Sequence, residues 1–343
     1  MPKRALRKYR LTLLIAALLV IWLAAGPQLI ERIGREVAYT EGLPADVVLR
    51  GRLLYSQGFD GIWQLDLNSG EASQWWRPPE GGWVNGIAAS PDGTRLAIAY
   101  APPADTGFQI GTTDLYLSDV SSPTLEPVLI RETHSHSYRN PAWSPDGRWL
   151  YFSHLEPQRN EDGSAAGVKL SVKRLEIGPD RTAPEIVIEG AEQGALSPSG
   201  TEIVFLNFDS RTYRSGVWIA SVSGEQAREI VSGTAFQSIS SPRFTPDGRG
   251  IIFSASGGLQ NASAQIGVVR AHGLPWDIWE VDLADNTMSK MTPTTLDGPW
   301  TAWSPDGAYL AVLAAEGVFV VYEGRFYHLA DVVSEGEITW TGH

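Results

Sequence analysis

The sequence predicts an all-β protein: a six-bladed β-propeller of four-stranded antiparallel blades, closed by a C-terminal strand in blade one, with one N-terminal transmembrane helix. Three observations carry this. A Ser-Pro-Asp-Gly tetrapeptide recurs at near-constant spacing. Alternating apolar residues flank each copy. The two ends of the repetitive region are incomplete in complementary ways.

Ser90-Pro91-Asp92-Gly93 returns as Ser144-Pro145-Asp146-Gly147 and Ser304-Pro305-Asp306-Gly307, and with one change as Thr245-Pro246-Asp247-Gly248 and Ser197-Pro198-Ser199-Gly200. The copies start 54, 53, 48 and 59 residues apart, a period that belongs to repeat architectures. Proline presets one turn dihedral, Asp caps the turn through its side chain, and Gly takes the positive φ that other residues resist. A large apolar residue precedes most copies (Trp143, Leu196, Phe244, Trp303), and apolar residues two apart follow, such as Leu150 and Phe152 or Ile251 and Phe253. Period-two apolar spacing on both sides of a tight turn is a β-hairpin.

A third strand follows each hairpin, at Ile62 to Leu67, Leu115 to Val120, Leu170 to Leu175, Val217 to Val222, Ile278 to Leu283 and Val318 to Tyr322. A short fourth strand comes next, as at Leu125 to Ile130 and Ala227 to Val231. Four strands per unit of about 50 residues is a propeller blade. Five turns set against six third strands leave one blade short. Ile338-Thr339-Trp340-Thr341-Gly342 repeats the start of the motif, as in Thr301-Ala302-Trp303-Ser304, and lacks a second strand. Residues 51–56 resemble a second strand that lacks a first. Joining the two leaves no free sheet edge between the first and last blade.

The rest of the chain is ordered by charge. Residues 1–10 form a basic tail with Lys3, Arg4, Arg7, Lys8 and Arg10 and no acid, so the chain's net −12 conceals −17 on the remainder. Residues 11–30 are an apolar run beginning LTLLIAALLVIWLAA. Twenty helical residues span roughly 30 Å, the thickness of a bilayer core, and the basic flank places the N-terminus in the cytoplasm. An uncleaved signal-anchor is the preferred reading, because Ala24-Ala25-Gly26 is followed at once by Pro27, a poor residue after a cut. The predicted location is the cell membrane, single-pass, with the C-terminal body extracytoplasmic. The alternative is a secreted or periplasmic body after signal cleavage. Residues 31–46 form a polar stalk, and 47–343 the propeller.

Composition narrows the function. The acidic body repels phosphate backbones, so nucleic acid is not an expected partner. There is no cysteine, which removes disulfides, thiolate catalysis and Cys-ligated metals. No G-x-S-x-G elbow and no phosphate-cradling glycine motif occurs, so no catalytic residue and no cofactor is assigned.

The Ser-Pro-Asp-Gly hairpins with their preceding Trp and following apolar strand resemble the repeats of TolB-like (PD40, WD40-like) propellers, over roughly residues 47 to 342. The resemblance implies a fold and a range of roles: periplasmic partner binding, non-catalytic domains of peptidases, and a few sugar-acid lyases. A counterpart of TolB's separate N-terminal domain is not expected, since the sequence reads as only a short stalk before blade one.

Blade connectivity puts the Ser-Pro-Asp-Gly turns on one face, with Pro91, Asp92, Gly93, Pro145, Asp146, Gly147, Pro246, Asp247, Gly248, Pro305, Asp306 and Gly307 as its structural residues. The split in blade one falls at a turn position, so this face is expected to look toward the membrane. The opposite face collects the longest insertions, at residues 101–112, 155–167, 207–215 and 255–275, and the links between blades. Long loops on a rigid scaffold are where binding residues gather. The binding-face candidates there are His134, His136, Tyr138, Arg139, Arg211, Tyr213, Arg214, Arg270, His272 and Trp300, since Trp, Tyr and Arg are common interface anchors. His134 and His136 are spaced to share a strand face and would reach one metal, with His272 as a third ligand. No H-E-x-x-H or carboxylate signature accompanies them, so no metal is assigned. The predicted function is a membrane-anchored module that binds or scaffolds protein, such as an envelope-complex subunit, with space for a small ligand or metal in the channel. The alternative is a glycan lyase- or hydrolase-like enzyme at the channel mouth.

Overall fold

The computed structural model describes residues 39–103, 112–133, 135–178, 183–257, 275–293, 296–332, 334 and 336–342. The expected tail and transmembrane segment, and the stalk before Tyr39, lie outside them. Among the described residues no helix is long and apolar enough to cross a membrane.

Six sheets follow one another around an axis. Blade two is the plain pattern: Trp83–Ala89 innermost, then Arg95–Ala101, Asp114–Asp119 and, outermost, Ser122–Leu129. Blade three has Ser137–Trp143, Trp149–Arg159, Ala165–Glu176 and Glu185–Glu189; blade four has Ala191–Leu196, Glu202–Asp209, Arg214–Ser221 and Arg228–Val231. Blade five has Ser238–Phe244, Gly250–Ser256, Trp276–Asp282 and Met288–Lys290; blade six has Trp300–Trp303, Leu310–Ala314, Gly317–Tyr322 and Arg325–Ala330. In the blade one sheet, Ile338–Thr341 lies inside Arg52–Ser56, Ile62–Asp66 and Ala72–Trp76, with Leu53 opposite Trp340 and Tyr55 opposite Ile338.

Second strands are the most apolar. Leu96, Ile98, Phe152, Ile203, Phe205, Ile251, Phe253, Leu310 and Val312 are all 1% exposed or less. Both of their faces are covered, because each blade packs flat on the next: Leu54 and Ile62 of blade one meet Ile87, Leu96 and Ile98 of blade two in one cluster. Burying such a side chain contributes roughly 1.5–3 kcal/mol, so the stack of blades holds the ring together.

The turns behave as their residues require. At Ser90 the hydroxyl donates to Asp92 Oδ1 (2.5 Å) and accepts from the Arg95 amide (2.9 Å), and Gly93 donates to the Ser90 carbonyl (2.8 Å) at φ +71°. The same set recurs at Ser144, Thr245 and Ser304. Each Pro also faces the next turn's Gly. A Cβ at Gly147, Gly200 or Gly248 would lie 3.9, 3.5 or 3.8 Å from the ring of Pro91, Pro145 or Pro198. Pro305 faces Gly342 in the same way, at 3.5 Å. The turns therefore form a chain of contacts along this face.

Two segments differ from the sequence expectation. Residues 155–167, expected as a loop, mostly extend a hairpin: Trp149–Arg159 pairs with Ala165–Glu176 from Trp149↔Glu176 to Arg159↔Ala165. Glu156, Pro157 and Gln158 break the apolar alternation, which hid the strand. The stalk's last residues are part of the fold. Thr40–Glu41 pairs in parallel with the outer strand of blade six, Thr40 opposite Tyr327 and Glu41 opposite His328. Glu41 Oε2 meets His328 Nδ1 at 2.9 Å, and the Tyr39 ring lies 5.3 Å from that of Phe319.

Candidate functional site

Each inner strand carries one residue four positions before its turn hydroxyl: Gly86, Asn140, Gln193, Ser241, Trp300 and Glu337. Asn140, Gln193 and Ser241 have φ of 49°, 54° and 53°. The inner strands shift register at these bulges, and a bulge re-aims the side chain beside it. An inner strand has no partner on its axial side, so its amides need side-chain acceptors. Gln193 Oε1 accepts from the Ser241 amide (2.6 Å) and the Ser240 hydroxyl (3.2 Å) of the next blade. Glu337 Oε2 accepts from the Ile87 amide (3.0 Å), and its Oε1 accepts from Asn140 Nδ2 (2.6 Å). Ser153 Oγ donates to Asn140 Oδ1 (3.2 Å) and accepts from the Gln193 amide (2.8 Å).

Five of these residues surround a small cavity on the axis. Asn140, Gln193, Ser241, Trp300 and Glu337, with Pro141, Ala142, Pro242 and Arg243, line about 20 Å³, room for about one water, whereas sites for organic ligands run to about 300–1,000 Å³. Charge here is held by burial. Desolvation pushes the Glu337 carboxyl up to about 7 and raises that of Glu192, and it lowers the guanidinium groups of Arg243 and Arg139.

The seven candidates among the described residues fall into separate places. His136 pairs with His154, whose Nε2 lies 3.3 Å from His136 Nδ1. His154 stands opposite Tyr138 in the neighbouring strand, with ring centroids 5.1 Å apart. Burial holds His154 down to about 4, helped by the positive charge of Lys173 and by His136. Sequence reading missed His154 because the contact crosses strands; a His two residues past Phe152, on a second strand, was its only signal. Arg139 Nε donates to Ser137 Oγ (3.0 Å), and its charge is opposed by Glu192 of blade four. Arg211 and Tyr213 sit at a hairpin tip of blade four, Arg211 3.4 Å from Asp209 and Tyr213 81% exposed. Arg214 donates to the Phe236 carbonyl in the link to blade five. Trp300 lines the axial cavity. His134, Arg270 and His272 lie outside the described residues, so the His134–His136 pairing and the third ligand lie outside them too. Among the described residues no group of three His, Asp or Glu is placed to hold a metal.

The loop face also carries a groove that the sequence reading did not single out. Phe59 and Asp60 of the second loop in blade one and Arg77, Pro78, Pro79, Glu80 and Gly81 of the link to blade two line an open concavity of about 650 Å³. Phe59 is 46% exposed. Its signal was the Pro78-Pro79 pair beside Trp75-Trp76.

No protein-family model matches the sequence, and no curated protein does. Solved structures match the fold. TolB from Acinetobacter baumannii superposes with a TM-score of 0.59 at 14% identity over 85% of this chain, which spans 66% of that protein's length. A chain of a nidogen/laminin complex superposes with a TM-score of 0.54 at 11% identity over 84% of this chain and 97% of its own. A putative TolB from Agrobacterium tumefaciens gives 0.48 at 18% identity, over 72% and 82%. The chain is an all-β, six-bladed propeller, similar in fold to TolB. At these identities the likeness is one of fold.

Proposed function

We propose that this chain is a membrane-anchored, extracytoplasmic propeller that binds a protein partner through its loop face. The observation that carries the reading is the open loop-face groove of about 650 Å³ with an exposed Phe59 and Arg77 at its rim, beside an axial cavity of only about 20 Å³. Aromatic and Arg side chains over a concavity suit a protein surface. The fold is shared with a chain of a nidogen/laminin complex, which agrees with a protein-binding role.

Membrane attachment rests on residues 11–30 and the basic tail of residues 1–10. The orientation rests on connectivity. The outer strand of blade six leaves the 323–324 turn on the turn face, and Thr40–Glu41 runs parallel to it, so residues before Tyr39 approach from that face. The turn face then looks to the bilayer and the loop face away from it.

The test is in-situ cross-linking of the full chain with photoreactive residues at Phe59 and, as a control, at Asn68 on the turn face. Cross-links to one protein from Phe59 alone support the reading; equal yields from both positions, or none, overturn it. A second reading, an enzyme at the loop-face mouth, is favoured by the His136–His154 pair alone. Tight stoichiometric binding of a divalent metal that His154→Ala abolishes would support it.

A further inference from the structure

The groove between blades one and two has a fixed floor. Pro78 is buried there between two glycines: a Cβ at Gly61 would lie 2.6 Å from Pro78 Cδ, and one at Gly82 would lie 2.9 Å from Pro78 Cβ. The loop that carries Phe59 is closed on itself, with the Gln57 amide on the Gly61 carbonyl (2.8 Å) and the Asp60 amide on the Gln57 carbonyl (3.0 Å). It is also pinned to the inner strand of blade two, where the Val84 amide donates to the Gly58 carbonyl (3.0 Å). Gly58, Gly61 and Gly81 stand at φ of 56°, 87° and 85°, a backbone that side chains resist. The concavity is built before anything enters it, so a partner does not have to order it.

The surface it offers is of two kinds. Phe59, 46% exposed, and the exposed Pro79 present apolar area. Asp60, Arg77 and Glu80 present charge. Arg77 is held within its own chain: Nε donates to Gln74 Oε1 (3.1 Å), and the guanidinium lies 3.8 Å from Asp60. Glu80 is exposed and has no ion-pair partner among the described residues. Two carboxylates against one guanidinium leave the groove negative, on a body that is itself acidic.

This mixture selects its visitor. A neutral apolar side chain would cover Phe59 and Pro79 and strip water from a carboxylate without replacing it, which costs free energy. An acidic side chain meets like charge. A Lys or Arg side chain satisfies both kinds of surface, because its methylene stem lies on apolar area while its head stays with the charge. A cation near the face of a Phe ring is attracted by the ring as well. The acidic body steers a cationic surface toward itself before contact.

Resting on the loop-face binding reading above, we propose that this groove takes a Lys- or Arg-bearing segment of the partner protein, the basic side chain laid on Phe59 and Pro79 with its head at Glu80 and Asp60.

In-situ cross-linking of the full chain decides this, with a photoreactive phenylalanine analogue at position 59 that keeps an aromatic ring there. The partner residue attached to it should have a Lys or Arg within three residues, about 10 Å of extended chain. Glu80→Lys should cut the yield about three- to tenfold, and Glu80→Gln by less. Glu71→Lys, the same change of charge beside the turn face, should leave the yield as it is. Both glutamates are exposed, so these substitutions leave the fold intact. An attachment site with no Lys or Arg near it, a yield that ignores Glu80→Lys, or one that falls equally with Glu71→Lys overturns the basic segment and leaves the loop-face reading standing. No protein attached at position 59 overturns that reading and the basic segment together.

Discussion

On the turn face, one arrangement is written five times: a hydroxyl on an Asp or Ser, a Gly at φ between +69° and +73°, and a Pro against the Gly of the next blade. Among the described residues of the loop face no such unit recurs. Its connections include a hairpin drawn out to Arg159, the exposed tip at Tyr213 and the Phe59 groove. The same strands feed both faces, so the difference lies in the constraint each end must satisfy. The turns must interlock to keep blades in register, and that fixes their residues. The loops need only span from strand to strand, and their sequence is left open for binding.

The largest test of this comparison is Gly307→Ala. The new Cβ would lie 2.6 Å from Pro246 Cβ at a φ of +73°, and the variant should lose about 3 kcal/mol in urea unfolding. A loss below about 1 kcal/mol would mean the turn face does not interlock.

The next test uses acid, to which the two faces respond separately. On the loop face His154 is held down to about 4. A depressed folded value means its neutral form favours the fold above about pH 6.5, and that stability drains as pH falls through about 4. Thermal unfolding between pH 7 and 4 should show this slope, and His154→Phe should flatten it. On the turn face Asp92 is held down to about 2 by the Ser90 hydroxyl first and then by the Thr94 amide. Its share is present above about pH 4 and lost as pH falls toward 2. Asp92→Ala should lose about 1 kcal/mol at neutral pH, the value of the hydrogen bonds rather than of an exposed charge.

Ser199 is the repeat's own departure from Asp, and its oxygen reaches the Thr201 amide at 3.4 Å where Asp92 reaches that of Thr94 at 3.1 Å. Ser199→Asp should gain about 0.5 kcal/mol in unfolding measurements. Smallest of all is Tyr213→Ala, expected to change stability by less than about 0.5 kcal/mol; a larger loss would make the loop-face tip a structural element.

These effects track what the sequence made legible. The turn residues and the third strands could be read because each reports on itself: Pro, Asp and Gly set a local geometry, and alternation sets a face. The site was legible only in part. His136 was identified but its neighbour His154 was not, because strand register across blade three is not written locally. The bond from Arg214 to the Phe236 carbonyl was not legible either, because it joins two blades. Glu337 went unnoticed although aligning the inner strands at their turn hydroxyls places it in one column with Asn140, Gln193 and Ser241. What such a column means depends on an axis shared by six strands, and no single strand contains that.

Thr40–Glu41 has a mechanical consequence. A pull applied upstream of Tyr39 reaches the outer strand of blade six first, along the direction in which the two strands run. Parallel backbone bonds, the Gly42 amide on the His328 carbonyl at 3.0 Å and the Glu41–His328 contact would share that load in shear. Tension is therefore taken up on the rim of the ring before it arrives at Arg52–Ser56, and the seam is shielded from whatever holds the other end.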